Sequence, residues 1–330
     1  MAGKTDTFIK EVKDVLENNI LNFWAGMEDP KGGIYGKFTE DGTPVKDAPR
    51  SVITNARLLW ALSAAYKHLR KKEYMVRAAN VKDYFFTRFV DHKYGGVYSS
   101  VNADGERLDT YVDLLGQGSA IFGLSRYYSA TKDEDALKIA LNIYEIVEKE
   151  FRKSDDSYSF VLTRDFKPAP DKPLNEEEKS TALLYLLEGY IELYKVHEDE
   201  TLRQNIKSLL KTVPTLMLNK KASETSWIIL DGAFAIKDME TVNEVRPVAE
   251  KLYKFGIEKG QVFCDTTGFC KCKMHSETLN SHLWAWKYLN IPASAEEAFK
   301  EWEQLKQNKC ICCSPLHYSR ACINALSLFE

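Results

Sequence analysis

Residues 31–66 read K-G-G-I-Y-G-K-F-T-E-D-G-T-P-V-K-D-A-P-R-S-V-I-T-N-A-R-L-L-W-A-L-S-A-A-Y. Gly32, Gly33, Gly36 and Asp41-Gly42 punctuate short apolar runs, which predicts a small hairpin in the first half of the stretch. From Val52 onward the apolar residues recur at three-to-four spacing, which predicts an amphipathic helix. Arg57 falls one turn inside that helix, beside Leu58, Leu59 and Trp60. A guanidinium keeps its charge at any physiological pH, so in apolar surroundings it needs a carboxylate or an anionic ligand. The alternative is an arginine on the polar face, pointing to water. Arg57 is therefore a candidate site residue.

The stretch has an echo. G-G-I-Y at 32–35, with Asp41-Gly42 behind it, returns as G-G-V-Y at 95–98 with Asp104-Gly105 behind it. The helices that follow also correspond, L-S-A-A-Y ending at Tyr66 matching L-S-R-Y-Y ending at Tyr128. A period near 62 residues suits a pair of helices plus a loop hairpin. Residues 5–24 carry Phe8, Ile9, Val12, Val15, Leu16, Ile20 and Phe23 on one helical face. Further helical patterns lie near 50–69, 72–90, 111–130, 133–150, 177–196, 200–217, 223–236, 240–258, 275–289, 294–307 and 316–328. Capping boxes at Thr131–Glu134 and Ser294–Glu297 mark two of the starts. Twelve helices make six hairpins. The expectation is a single all-α domain over residues 1–330, an (α/α)6 barrel with small β-hairpins in the loops at one end; an open superhelix of similar repeats is the competitor. Segments mixing small, polar and apolar residues, such as N-A-R-L-L-W-A-L-S-A-A-Y and L-G-Q-G-S-A-I-F-G-L-S, suit a crowded inner ring. D-E-D-A-L-K-I-A-L-N-I-Y-E-I-V-E-K has the one-sided pattern of an outer helix.

Lys plus Arg at 45 against Asp plus Glu at 48, without long blocks of one sign, argues against nucleic acid or an anionic membrane as the main partner. A small molecule is the better expectation. The N-terminus has no uninterrupted apolar core of a signal peptide, and no later run is long and apolar enough to span a bilayer, so a cytoplasmic location is expected. The seven cysteines are then expected as reduced thiols.

Polar residues near the starts of the presumed inner helices are Arg57, Glu188, Glu224, Glu277 and His317. A barrel directs equivalent helix ends at one cavity, so together they make a mouth-lining set. With the segments already quoted, Y-G-G-V-Y-S-S-V-N-A-D-G, A-I-F-G-L-S-R-Y-Y, T-R-D-F-K-P, L-L-E-G-Y-I-E-L-Y, E-T-S-W-I-I-L-D and P-L-H-Y-S-R-A-C run in one order along the chain. In that order they resemble the N-acylglucosamine 2-epimerase superfamily, and within it the cellobiose and mannobiose 2-epimerase branch. The resemblance implies a six-hairpin barrel holding an unmodified reducing sugar, a mono- or disaccharide, and a reaction without cofactor or metal. A base removes the C2 proton of the open-chain aldose, cationic and hydrogen-bonding groups hold the enediolate, and a proton returns. By the same resemblance Arg57 matches the arginine that stabilises the enediolate and His317 the C-terminal catalytic histidine. Glu224 and Trp227 match the H-x-x-E-x-x-W element, and Glu277 the glutamate after the family's tryptophan pair; with Tyr185 and Glu188 these are the expected substrate-binding residues. A monomer or homodimer is expected.

The departures bear on mechanism. Lys221 stands where the H-x-x-E-x-x-W element has its histidine; Thr181 and Tyr185 replace an N-x-x-x-H pair, Cys272 and Lys273 the tryptophan pair, and Leu115 a pocket tyrosine. Lysine serves as an acid or base when burial and a nearby cation lower its pKa. If it stays charged, it holds an enediolate oxygen while His317 moves the proton alone, and one-base transfer from C2 to C1 gives aldose–ketose isomerisation. The alternatives are a sugar-binding relic with impaired catalysis, and a barrel with a zinc site built from Cys270, Cys272, His275, Cys310, Cys312, Cys313 and His317.

Overall fold

The computed structural model describes residues 2–39, 43–108, 111–218, 221–259, 271–307 and 315–329. The helices in chain order are α1 (Ala2–Asp14), running through a π-helical stretch Val15–Leu21 into α2 (Asn22–Met27), then α3 (Val52–Leu69), α4 (Lys72–Arg88), α5 (Leu114–Thr131) and α6 (Glu134–Ile146) with a π-helical end Val147–Phe151. There follow α7 (Glu176–Tyr194), α8 (Glu200–Met217), α9 (Ala222–Ala235), α10 (Met239–Lys259), α11 (Lys271–Tyr288), α12 (Ala293–Gln307) and α13 (Pro315–Phe329). With α1, its π stretch and α2 taken as one continuous rod, these are the twelve helical segments that the periodicity predicts. The strands are short: β1 (Arg50–Ser51) pairs antiparallel with β2 (Ser100–Val101), and β3 (Tyr111–Asp113) with β4 (Val161–Thr163).

Local chemistry explains the boundaries, with two corrections. The Ser51 hydroxyl accepts from the Ile53 amide at the start of α3, and the Asp113 carboxylate accepts from the Gly116 amide, 2.6 Å, at the start of α5. Asn175 and Glu178 form a reciprocal capping box on α7. The expected box at Thr131–Glu134 does not form. Asp133, two residues later, caps the amides of Asp135 and Ala136, because its carboxylate reaches both donors and carries the charge that a helix start favours. Ser294 lies inside α12, and its hydroxyl donates back to the Ile291 carbonyl.

The chain divides into two compact units, residues Met27–Arg203 and residues Met1–Gly26 with Gln204–Glu330. In the first, α3 packs on α5 and α5 on α7, and all three are buried along most of their length. Trp60 and Phe122 stack between α3 and α5 with centroids 5.2 Å apart. Small residues permit the close crossing of α5 and α7: a Cβ on Gly189 would stand 2.5 Å from the Gly118 carbonyl oxygen. The one-sided α6 buries only Ala136, Ala140 and Ile143 of its α-helical part, as an outer helix should.

The loop hairpins of this unit repeat three times rather than the two legible in the sequence. Bridges Glu28↔Ile34 and Phe38↔Pro44 recur as Val90↔Val97 and Val101↔Arg107, and again as Arg152↔Tyr158 and Leu162↔Pro168. In the first two copies the glycine pairs take positive φ, 105° and 72° at Gly32 and Gly33, 83° and 73° at Gly95 and Gly96. The third copy has Asp156 at 62° and Phe166 at 61° in left-handed backbone. The glycines that make the repeat legible are gone there, while the turn geometry persists.

In the second unit α11 packs against α9, α12 and α13, α10 against α9, and α1 against α13. Phe8 of α1 meets Phe299, Trp302 and Phe329 edge-on. Small hydroxyls fill the α9–α11 crossing: Ser281 donates to the Ser223 carbonyl at 2.9 Å, with its oxygen 3.0 Å from the Ser226 hydroxyl.

Candidate active site

Within the second unit, the first two turns of α9, α11 and α13 bring four ionisable side chains into one buried cluster. Glu224 and Glu277 are 0% exposed, His317 and Arg320 2%. Nδ1 of His317 lies 2.6 Å from Oε1 of Glu277. Nη2 of Arg320 donates to that same Oε1 at 2.7 Å and to Oε1 of Glu224 at 2.9 Å. Nε1 of Trp227 donates to Oε2 of Glu277 at 2.9 Å, and the Arg320 guanidinium lies 4.7 Å from the centre of the Trp227 ring. The Glu277 carboxylate thus accepts three donors, which fixes its orientation. It also fixes the imidazole: with Nδ1–H given to a carboxylate, Nε2 carries the lone pair and is the nitrogen that can take a proton.

Two carboxylates in one dry site repel each other unless cations stand between them. Burial and the charge of Glu277 push the Glu224 carboxyl upward, but the charges of Lys273, His317 and Lys221 outweigh them, and it lies below the ordinary carboxylate range. Lys221 is the residue before α9, 8% exposed and one turn from Glu224; Lys273 stands one turn before Glu277 on α11. The cluster therefore gathers Lys221, Glu224, Trp227, Glu277 and His317, all expected site residues.

The remaining expected residues belong to the first unit. Arg57 of α3 is half-buried; its Nη2 donates to the Tyr185 hydroxyl of α7, and its guanidinium sits 5.1 Å from the centre of that ring. Among the described residues the partner is a phenol, where sequence reasoning expected a carboxylate or an anionic ligand, or else water. Glu188, one turn along α7 from Tyr185, is buried. One turn toward the helix starts, Ile53, Leu115, Thr181 and Asp113 line a cavity of about 470 Å³ with Phe160, Pro173 and Leu174. Leu115 and Thr181, two positions where the sequence departs from the resembled pattern, thus face open space.

Of the proposed zinc ligands, Cys270, Cys310, Cys312 and Cys313 lie outside the described residues. Cys272 is a buried thiol at the start of α11. Nδ1 of His275 is engaged by Glu301 at 2.6 Å, and Nδ1 of His317 by Glu277. Sequence reasoning missed Arg320. The signal was present in P-L-H-Y-S-R-A-C, where an arginine one turn after His317 sits in an apolar helix, the same pattern that singled out Arg57.

The fold is all-α, of the six-hairpin (α/α)6 class, with a carboxylate-held histidine in its buried ionisable cluster. A family model described as N-acylglucosamine 2-epimerase matches residues 33–231, and the chain belongs to that family. It is 28% identical to a cellobiose 2-epimerase of Bacteroides fragilis, the match covering 91% of this chain and 87% of the relative. The crystal structure of a sugar epimerase from a ruminal bacterium superposes with a TM-score of 0.86 at 22% identity, covering 97% of this chain and 98% of the other. That of a D-mannose isomerase gives 0.78 at 16% identity, over 94% and 97%.

Proposed function

We propose that this chain is a carbohydrate 2-epimerase or aldose–ketose isomerase, acting on an unmodified reducing sugar by proton transfer through an enediolate. The observation that carries the reading is the 2.6 Å contact between His317 Nδ1 and the Glu277 carboxylate, which orients the imidazole so that Nε2 can serve as a base. Family membership supports the same reaction class and favours the enzyme over a sugar-binding relic. In this reading Nε2 of His317 removes the C2 proton of the open-chain aldose, and the electron pair of the C–H bond forms the C1–C2 double bond as the carbonyl oxygen becomes the enediolate oxygen. Arg57 and Lys221 stabilise that charge. Return of the proton to the opposite face of C2, as the C1 carbonyl re-forms, gives the epimer; its return to C1, with the O2 proton passing to O1 as the C2 carbonyl forms, gives the ketose. Glu224, Trp227, Tyr185 and Glu188 bind and position the sugar, while Glu277, expected among the substrate-binding residues, acts by orienting His317. The reading requires no cofactor, takes a mono- or disaccharide as the only partner, and assigns the chain to the cytoplasm as a monomer or homodimer. No helix among the described residues is long and apolar enough to cross a membrane.

The test is incubation with a panel of mono- and disaccharides in heavy water. Deuterium entering C2 reports proton abstraction even without net product. His317→Ala is expected to lower exchange by about 10²- to 10⁴-fold. Exchange kept in Lys221→Ala assigns a one-base isomerase, and exchange lost in both variants assigns a two-base epimerase with lysine as the second group. Sugar binding by calorimetry without exchange from any sugar overturns the enzyme reading in favour of the relic.

A further inference from the structure

Glu224, Glu277 and His317 bring two carboxylate oxygens and an imidazole nitrogen within 4.8 Å of one another, an arrangement that calls for a cation between them. The position that a cation would take is already held by Nη2 of Arg320, which lies 2.9 Å from Glu224, 2.7 Å from Glu277 and 3.3 Å from Nδ1 of His317. The last distance is not a hydrogen bond between arginine and histidine. Were Nδ1 the acceptor for Arg320, its 2.6 Å contact to the Glu277 carboxylate would contain no proton. Both nitrogens are donors that converge on one oxygen, Oε1 of Glu277.

We propose that Arg320 is a positioning residue for proton transfer, a built-in cation that locks the Glu277 carboxylate toward His317 and so presents Nε2 as the base. This rests on the assignment of His317 above. The residues are suitably spaced: His317 and Arg320 are one turn apart on α13, so a single helix carries the base and the cation that orients its carboxylate. Trp227 makes the clamp rigid, since it holds Oε2 of Glu277 by its Nε1 while its ring lies against the guanidinium. Among the described residues the charged groups in contact with His317 are Glu277 from α11, Glu224 from α9 and Arg320 from its own helix, while Lys273 of α11 and Lys221 before α9 act on Glu224. On the other side of α13, two residues along, Ser319 accepts from Nε1 of Trp24, contributed by the N-terminal segment. Arg320 thus offsets charge on both glutamates in contact with the imidazole; without it their field acts on the ring less opposed. Removing the arginine should make His317 bind its proton more tightly, which takes the base out of action at neutral pH.

The experiment is an NMR titration of the imidazole in the full-length protein, the His317 resonance being assigned by its loss in His317→Asn. Arg320→Met is expected to raise the midpoint by about 1 pH unit or more, and the acid limb of the kcat/KM profile should move up with it. Arg320→Lys keeps the charge at a single point without the fork, so its midpoint should stay near that of the unmodified protein while kcat falls. A folded Arg320→Met protein with an unchanged midpoint overturns the proposal. If that variant does not fold, Glu224→Gln serves instead. It removes a carboxylate oxygen 3.8 Å from Nδ1 while Arg320 still holds Glu277, so the midpoint should fall; an unchanged value overturns the proposal equally. Because the titration needs no turnover, shifted midpoints in a protein that exchanges deuterium with no sugar uphold the clamp and overturn only the enzyme reading.

Discussion

Glu277 is the residue on which the cluster turns, because its carboxylate joins the base, the cation and the tryptophan through separate lone pairs. Glu277→Gln replaces an obligate acceptor by a group that also donates. The amide nitrogen can present a proton to Nδ1, which places the ring proton on Nε2, the wrong nitrogen for a base. We expect kcat to drop by about 10³- to 10⁴-fold with little change in KM, the pattern of a lost tautomer rather than lost binding. Steady-state kinetics on whichever sugar supports exchange checks it, and a rise in KM with kcat unchanged would contradict the orienting role. Arg57 behaves differently. Its partner is the Tyr185 hydroxyl, and no carboxylate among the described residues neutralises it, which leaves its charge available to an enediolate. Arg57→Met is expected to lower kcat/KM by about 10²- to 10³-fold, as for loss of one oxyanion-stabilising group. A change below about threefold would return it to a packing role.

The elements that hold the helix starts in place are the loop hairpins, and the second of them is pinned by an ion pair. Arg164 grips the Asp91 carboxylate through Nε at 2.5 Å and Nη2 at 2.9 Å, and the amide of Lys93 adds a third donor at 2.9 Å. Burial opposes ionisation of Asp91, but these donors prevail and hold its carboxyl at about 2 against an ordinary value of 3.8. A depressed carboxyl contributes its stability in full above its unfolded value. The contribution is lost as the pH falls through the folded one, so the window runs from about 4 down to about 2. Asp91→Asn should cost roughly 1–2 kcal/mol at neutral pH, allowing for partial exposure of Arg164. It should also flatten the acid side of the stability curve in that window. Urea unfolding at pH 7 and across pH 4 to 2 measures both, and an unaltered acid slope would mean that Asp91 is not a stabilising titrating group.

For the whole molecule the expected far-ultraviolet circular dichroism is helical with little sheet, since the two strand pairs of the described residues involve only two or three residues a side. A strand-dominated spectrum would contradict the fold. Chelation gives a sharper test. Arg320 supplies the cation that the Glu224, Glu277 and His317 donors require, so exhaustive treatment with a chelator should leave turnover within about twofold of the untreated protein. Activity lost to chelation and restored by zinc would instead assign a metal to the cysteine-rich stretches around Cys270 and Cys310–Cys313.

The positions of the helices, two of the three hairpin repeats and the family were legible in the sequence, because each is written locally. Amphipathic period, glycine turns and short motifs survive without knowledge of what they pack against. The cap of α6 was misplaced by two residues because Thr131 and Asp133 are both competent cap types, but Thr131 closes α5 and its hydroxyl donates back to the Tyr127 carbonyl. The third hairpin was hidden because Asp156 and Phe166 adopt the backbone of glycines without being glycines. What only the tertiary structure decided is the pairing inside the site. Arg320 and Glu224 are separated by 96 residues and Arg320 and Glu277 by 43, so no local pattern links them. Their burial makes a shared partner obligatory, since a desolvated charge is tolerated only where an opposite one meets it. Sequence identified residues able to carry proton chemistry; the folded chain determined which carboxylate orients His317, and which cation holds that carboxylate in place.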